Sequence, residues 1–338
     1  MDLTTTYLGL KLRNPFVAGP SPLTDSFDAI RLLEDAGIAA IVLPPVFEEQ
    51  LSDEQMALSD SIDTPAESFP EALSYFAEQE HAIVEPEAYM TRLAEVKRRT
   101  DVPVIGSINA VTPDRWTDYA VRMEKAGADA LELDFYFVAN DASESGEEIE
   151  RRFIDVLRRV KGSVRIPVSV KLTAFHTSLA HFARSLEAAG ADGLVLLHRF
   201  YEPDLDIENL EPLSQFQLSD SRELLLRLRW LAIISGKVDC SLAANGGVHS
   251  VEDAVKAVMT GADCLQLTSA LLKNGFGHVA ALRDGLAMWL EQNGYDSLRQ
   301  MRGSMNIERI PDPRALSRAH YMHLLGAWGT RQYSPERG

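Results

Sequence analysis

The stretch SLAANGGVHSVEDAVKAVMTGADCLQLTSA, residues 241–270, decides the fold of this chain. A short apolar run leads into Gly246 and Gly247, and a helical pattern then covers 251–259. Gly261 ends that helix, a second apolar run follows at once, and a further helix begins near the end of the stretch. The stretch therefore predicts two successive units of strand, turn and helix.

The two strand ends in this stretch offer backbone N–H groups to an anion. Gly246 and Gly247 follow the first strand, and Thr268 and Ser269 follow the second. The first N–H groups of a helix have no intrahelical partner, and the helix dipole favours negative charge there. In (β/α)8 barrels the phosphate site is commonly built after the last two strands. The pattern predicts a phosphate cradle made by these four residues; two ordinary turns are the alternative.

A weak internal repeat extends the same unit along the chain. A helix end, a glycine and a short apolar strand recur around Gly37, Gly127, Gly190 and Gly261. Four more strands are predicted at 15–18, 102–107, 166–172 and 238–243. Strands that alternate with helices imply a parallel sheet, and eight such units fit a closed barrel. We therefore predict an α/β fold, a (β/α)8 TIM barrel; a doubly wound sheet is the alternative, but its early GxGxxG turn is absent.

Both ends of the chain add to the predicted barrel. Residues 3–13 alternate around a glycine and predict a hairpin that closes the bottom of the barrel. The barrel domain is predicted to span 1–299, and the extension 300–338, with a helical stretch over 313–328, is predicted to pack on the barrel or to contact a second subunit. Three long segments follow predicted strands and should lie at the C-terminal face, where barrel enzymes keep their sites: 44–85, 134–147 and 198–218.

Composition excludes several classes of function. The chain has 338 residues, 46% of them hydrophobic, and a formal net charge of −17. An acidic chain without a basic stripe is a poor candidate for binding nucleic acid or an anionic membrane. The two cysteines, Cys240 and Cys264, lie in apolar patterns and cannot by themselves ligate an iron–sulfur cluster. Without a metal-ligand spacing, a signal core or a run of transmembrane length, we expect a soluble cytoplasmic protein that binds a small molecule and no metal.

Four motifs occur in a fixed order and carry a family resemblance. They are Asn14-Pro15-Phe16, Val170-Lys171-Leu172, Asn245-Gly246-Gly247-Val248, and Gly261 with Leu265-Gln266 and Ser269-Ala270-Leu271. Together they resemble the dihydroorotate dehydrogenase family, especially its soluble class 1 branch, over roughly residues 3–295. The resemblance implies an FMN-binding (β/α)8 barrel, CH–CH oxidation through flavin N5, and a homodimer. It would also assign the chain to pyrimidine biosynthesis.

The resemblance implies a set of cofactor-binding residues. These are Ala18, Gly19, Pro20, Asn109, Asp134, Lys171, His198, Gly246, Gly247, Thr268 and Ser269. Lys171 matches the strand-5 lysine of the family, which lies near flavin N1 and O2 and stabilises the reduced flavin by its charge. The alternative for Lys171 is a simple ion pair with a carboxylate.

The chain also departs from the family pattern where the substrate should bind. The Cys or Ser that acts as the base falls at Phe137, which cannot accept a proton, and the lysine after strand 2 falls at Leu43. The substrate loop of the family is missing, and residues 71–76 occupy about the same position in the sequence. The asparagine after strand 6 appears as His198. The cofactor half of the site is kept and the pyrimidine half is not, so dihydroorotate oxidation should be weak or absent.

Protic groups in the altered half are candidates for catalysis. His198 can transfer a proton near neutral pH, or can hydrogen-bond the flavin or a loop instead. Tyr136 is the nearest protic group to the lost base, with simple aromatic packing as the alternative. Arg199 could hold a substrate carboxylate or pair with Glu202 or Asp204. Two other functions remain open: a non-catalytic flavin- or phosphate-binding barrel, and a lyase that uses Lys171 as a Schiff base.

Overall fold

The computed structural model describes residues 1–47, 86–109, 113–200, 202–213, 217–316 and 319–332. Most of the predicted loop 44–85, including the substrate-loop position 71–76, lies outside the described residues. In chain order the strands are β1 Thr5–Tyr7, β2 Leu10–Leu12, β3 Phe16–Ala18, β4 Ala40–Phe47, β5 Val104–Asn109, β6 Ala130–Asp134, β7 Val168–Leu172, β8 Gly193–Leu196, β9 Asp204–Asp206, β10 Glu211–Leu213, β11 Ser241–Asn245 and β12 Cys264–Leu267.

Helices alternate with the barrel strands. The α-helices are Phe27–Ala36, Pro86–Arg99, Pro113–Lys125, Gly146–Ser163, Leu179–Ala188, Leu224–Ile234, Val251–Thr260, Ser269–Asn274, Gly277–Gln292, Leu298–Met301 and Ala319–Gln332, with 3-10 turns at Pro22–Thr24 and Pro313–Leu316. Among the described residues, eight parallel strands close in the order β11-β12-β3-β4-β5-β6-β7-β8. The predicted (β/α)8 barrel is confirmed.

The aspartate of the Gly-Ala-Asp repeat fastens neighbouring strands together. In three copies its carboxylate accepts the N–H of a residue at the start of the preceding strand of the barrel. The pairs are Asp129 with Val104 (2.7 Å), Asp192 with Val168 (2.7 Å) and Asp263 with Leu242 (2.8 Å). Each of these aspartates also forms an ion pair with a basic side chain, from Lys97, Lys161 and Arg302 respectively. The repeat therefore holds the N-terminal end of the barrel in register.

One predicted strand differs in its bounds for a local reason. The strand predicted at 238–243 is β11, Ser241–Asn245. The N–H groups of Asp239 and Cys240 donate instead to Glu187 Oε1, at 2.6 and 2.8 Å. These two residues are thereby tied to the end of a neighbouring helix before the strand joins the sheet.

The predicted N-terminal hairpin is present as β1 and β2. Tyr7, Leu8 and Leu12 are buried in a cluster with barrel residues such as Val17 and Ala243. The Leu8 N–H donates to Ser241 Oγ at 3.0 Å. The hairpin therefore closes the end of the barrel opposite to the strand ends that carry the candidate site.

The segment after residue 300 has two parts. Its first part contacts the barrel helices through backbone bonds, including Gly303 N to Val258 O at 3.0 Å and Met305 N to Met259 O at 2.8 Å. Farther on, the side chains over 321–327 are exposed. The predicted helix 313–328 is a 3-10 turn followed by Ala319–Gln332. The division into domains 1–299 and 300–338 stays a prediction.

Candidate active site

A cavity of about 600 Å³ opens at the C-terminal ends of the barrel strands. Eight of the predicted site residues line it: Pro20, Asp134, Tyr136, Lys171, His198, Gly246, Thr268 and Ser269. The other four, Ala18, Gly19, Asn109 and Gly247, lie at or next to the ends of β3, β5 and β11. Strands distant in sequence thus bring the predicted residues to one face of the barrel.

Lys171 lies between two buried carboxylates. Its Nζ is 3.3 Å from Glu132 Oε1 and 3.6 Å from Asp134 Oδ2, and the residue is only 3% exposed. Burial by itself would lower the pKa of Lys171, but the charges of Asp134 and Glu132 outweigh it, so the pKa is raised above its ordinary value. The lysine is therefore a fixed cation at neutral pH.

A polar side chain from the opposite wall of the barrel completes this network. Gln266, on β12, donates from Nε2 to Glu132 Oε2 at 2.6 Å across the barrel interior. Each oxygen of Glu132 therefore has one partner, Lys171 or Gln266. A carboxylate that is fully removed from water keeps its charge only with such partners, so Gln266 helps Glu132 to hold the lysine.

Asp134 and His198 form a hydrogen-bonded pair at the edge of the cavity. His198 Nδ1 lies 2.8 Å from Asp134 Oδ1, while the other carboxylate oxygen faces Lys171. Burial acts to raise the pKa of Asp134, but Lys171 and His198 outweigh it and the pKa is lowered. The ionised carboxylate accepts from Nδ1–H and fixes the orientation of the imidazole.

The aromatic residues after β6 point in different directions. The Tyr136 ring lines the cavity, 4.8 Å from the His198 ring and 4.7 Å from the Phe200 ring. The Phe137 ring lies 6.2 Å from that of Phe153, with Arg152 over its face at 4.9 Å. Phe137 therefore packs against the helix Gly146–Ser163, and Tyr136 is the protic side chain of this loop at the cavity.

The two predicted phosphate-binding turns differ in the donors they offer. After β11, the N–H groups of His249 and Ser250 donate to Asp253 Oδ2 at 3.0 and 2.9 Å, so that helix is capped by its own side chain. After β12, the helix Ser269–Asn274 starts at Thr268, whose side chain makes no capping hydrogen bond. No side chain caps the N–H groups at the start of this helix, so of the two turns this one has the more open helix N-terminus.

Two tightly packed glycines and one buried asparagine lie at or near the strand ends of the site. A Cβ on Gly247, whose φ is +78°, would lie 2.7 Å from the Leu224 nitrogen, and one on Gly19 would lie 2.5 Å from Thr268 Oγ1. Only glycine allows the backbone to approach so closely there. The buried Asn109 Nδ2 has no hydrogen-bond partner among the described residues. Such an orphaned donor at the strand ends suits a ligand rich in acceptors.

Several site residues were missed from the sequence. Glu132 and Gln266 carry a signal, because each is a polar residue inside an otherwise apolar strand pattern. Arg92 also lines the cavity and pairs with Asp25 at 2.6 Å. Arg199, for which the sequence suggested a substrate carboxylate, Glu202 or Asp204, pairs with Glu223 at 2.6 Å. No local pattern predicts these last two contacts, since their partners are distant in sequence.

Comparison with known proteins agrees with the fold. The family model described as dihydroorotate dehydrogenase matches residues 85–290. The chain belongs to the dihydroorotate dehydrogenase family.

Individual relatives are distant but cover most of the chain. The NAD-dependent dihydropyrimidine dehydrogenase subunit PreA of Escherichia coli strain K12 is 24% identical over 92% of this chain and 78% of the relative. The catalytic subunit of dihydroorotate dehydrogenase B (NAD(+)) from Thermoplasma volcanium is 25% identical over 89% of this chain and 98% of the relative. The corresponding subunit from Methanosarcina mazei is 24% identical over 89% of this chain. In the part of the chain that the structure describes, no helix is long and apolar enough to cross a membrane.

Replacing Lys171 should test the buried charge network. Lys171→Met leaves Glu132 and Asp134 without their cation, so we expect the free energy of unfolding to fall by about 3–5 kcal/mol. The loss should shrink in acid, because protonation of the carboxylates removes the unpaired charge. Urea denaturation at several pH values measures both effects. The matched control Lys256→Met breaks an exposed pair with Glu252 and should cost about 0–1 kcal/mol; equal losses in the two variants would contradict the expectation.

Proposed function

We propose that this protein is an FMN-dependent oxidoreductase that acts on a CH–CH bond of a small molecule. The observation that carries the proposal is Lys171, buried between two carboxylates at the carboxyl ends of the strands, in a cavity that the turns after the last two strands also line. Ala18, Gly19, Pro20 and Asn109 would hold the flavin with Lys171. Gly246, Gly247, Thr268 and Ser269 would hold its phosphate. Bound FMN supplies hydride transfer at N5.

Lys171 contributes a fixed positive charge to this site. A preorganised cation costs no reorganisation when negative charge develops beside it. The raised pKa also argues against the lyase alternative, because a Schiff-base lysine needs a lowered pKa to be a nucleophile. The two carboxylates that hold Lys171 in place therefore favour an electrostatic role over a covalent one.

His198 is the proposed acid–base group. Asp134 accepts from Nδ1, which leaves Nε2 as the nitrogen that can exchange a proton with a substrate. The Tyr136 ring packs against the imidazole and restricts its motion. Tyr136 also brings a hydroxyl to the cavity lining and is the second candidate for proton transfer.

The substrate proposed here is not dihydroorotate. Phe137 stands at the position of the family base and packs against Phe153 and Arg152. The relatives are named for dihydroorotate and dihydropyrimidine oxidation, so saturated ring compounds of that kind are the first substrates to compare. The proposal includes a homodimer in the cytoplasm, the state expected from the resemblance to class 1 members.

The spectrum of the purified protein tests the cofactor. We expect a visible flavin spectrum and about one FMN per chain released by heat. Gly247→Ala should abolish or strongly weaken retention of FMN, because the new Cβ collides with the Leu224 backbone. Gly294→Ala is the matched control, since its φ is also positive but nothing lies within 4 Å of its Cβ position. A colourless wild-type protein that takes up no added FMN would remove the proposal.

Dihydroorotate should be a poor substrate. We expect little reduction of the bound flavin when the loaded protein is mixed anaerobically with dihydroorotate, because the base position is apolar. Flavin bleaching in a stopped-flow instrument measures this directly. Rapid and complete bleaching, lost in a Tyr136→Phe or His198→Asn variant, would show that a different base serves the same substrate.

His198→Asn should separate catalysis from cofactor binding. A general acid or base typically contributes about 10²–10⁴-fold to the rate, so we expect a loss of that size with FMN still bound. The measurement is steady-state turnover of any saturated ring compound that bleaches the flavin. His181→Asn, an exposed histidine on the helix Leu179–Ala188, should leave the rate unchanged. Full activity in His198→Asn would exclude His198 as the proton-transfer group.

A further inference from the structure

Arg227 is a buried cation beside the predicted phosphate cradle. It lies in the first turn of the helix Leu224–Ile234 and is only 5% exposed. Its guanidinium reaches the cavity behind the turn that follows β11. A Cβ built on Gly246 would lie 3.6 Å from Nη2. The charge therefore lies directly against the backbone of the cradle.

Backbone carbonyls hold this guanidinium in place. Nε donates to Asn245 O, Nη1 donates to Glu223 O at 2.7 Å, and Nη2 donates to Leu197 O at 3.1 Å. The carbonyls of Leu197 and Asn245 belong to residues at the ends of β8 and β11, two adjacent strands of the barrel. Three neutral acceptors fix the position of the group without cancelling its charge.

The acidic partner of Arg227 is shared with a second arginine. Glu223 Oε2 is 4.0 Å from Arg227 Nη1, while Glu223 Oε1 lies 2.6 Å from Arg199 Nη1. The Glu223 carboxylate is therefore shared between two guanidinium groups, and its shorter contact is with Arg199. Burial lowers the pKa of Arg227 to about 10, against the opposing effect of Glu223, so the group stays protonated at neutral pH.

A buried charge whose short contacts are all to neutral groups is costly unless an anion joins it. The groups around the cradle supply hydrogen-bond donors: the Gly247 N–H makes only a long contact, 3.4 Å, with Ser219 Oγ. The nearby carboxylate of Asp253 is already engaged by its own helix cap. Arg227 is therefore a buried cation at this turn whose short hydrogen bonds all go to neutral carbonyls.

We propose that Arg227 is the charge partner of the phosphate of the bound flavin, and that it makes the site prefer FMN to riboflavin. This rests on the proposed function, since it assumes a flavin in the cavity. A purely structural Arg227, needed only to tie the ends of β8 and β11 together, would support both flavins equally. The ratio of the two affinities therefore separates the two roles.

The experiment compares FMN and riboflavin binding to flavin-free protein by fluorescence quenching. We expect Arg227→Gln, which removes the charge and keeps an amide donor, to weaken FMN binding by about 10- to 100-fold. Riboflavin binding should change by less than about twofold, because riboflavin carries no phosphate. Arg227→Lys keeps the charge and should keep the preference for FMN. Arg229→Gln removes an exposed charge from the same helix and should change neither affinity.

Four results would overturn the inference. If Arg227→Gln weakens the binding of FMN and riboflavin equally, Arg227 has a structural role. If the FMN affinity is unchanged, Arg227 has no role in flavin binding. If Arg227→Gln does not fold, Arg227→Lys provides the test. Loss of the FMN preference in that variant, which keeps the positive charge, would show that the charge does not set the preference. Wild-type protein that binds neither flavin would overturn the proposed function as well. If wild-type protein binds FMN, a negative result with the Arg227 variants overturns only the role of Arg227.

Discussion

The placement of one lysine between two carboxylates governs the candidate site. Lys171, Glu132 and Asp134 lie on adjacent barrel strands, and none of them is exposed enough to be solvated by water. Each of these buried groups keeps its charge only while the others are present, because removing one leaves the remaining charges unpaired. The network therefore fixes the protonation state of the lysine and the position of the carboxylate that orients His198. The chemistry proposed for the cavity depends on this single arrangement.

The barrel makes that arrangement rigid. Glu132 is held from one side by Lys171 and from across the interior by Gln266. The N-terminal ends of the strands are fastened separately by the aspartates of the repeat, and the hairpin closes that end with apolar side chains. Stability is thus concentrated at one end of the barrel, which leaves the carboxyl ends of the strands free to carry polar groups that would weaken an ordinary core.

Side chains that follow β6 and β8 line another wall of the cavity. Phe137 faces the helix Gly146–Ser163, and Tyr136 and His198 contact each other at the cavity. The pair Asp134–His198 offers a proton-transfer group at a wall of the barrel different from the position of the family base. Under the proposed function, the anion site and the cation would be kept while the residues that recognise the substrate differ, since function is carried by the site and not by the fold.

The sequence by itself determined the fold and the class of site. The glycine-ended helices and short apolar strands follow a period that only alternating strands and helices produce, so the barrel, the hairpin and the residues at strand ends could be predicted. Tertiary structure alone decided the partners of the charged residues. Glu132 meets Gln266 across 134 positions of sequence, and Arg227 meets Leu197 and Asn245 at two different strand ends. Local patterns cannot encode such contacts, because closure of the barrel brings these residues together.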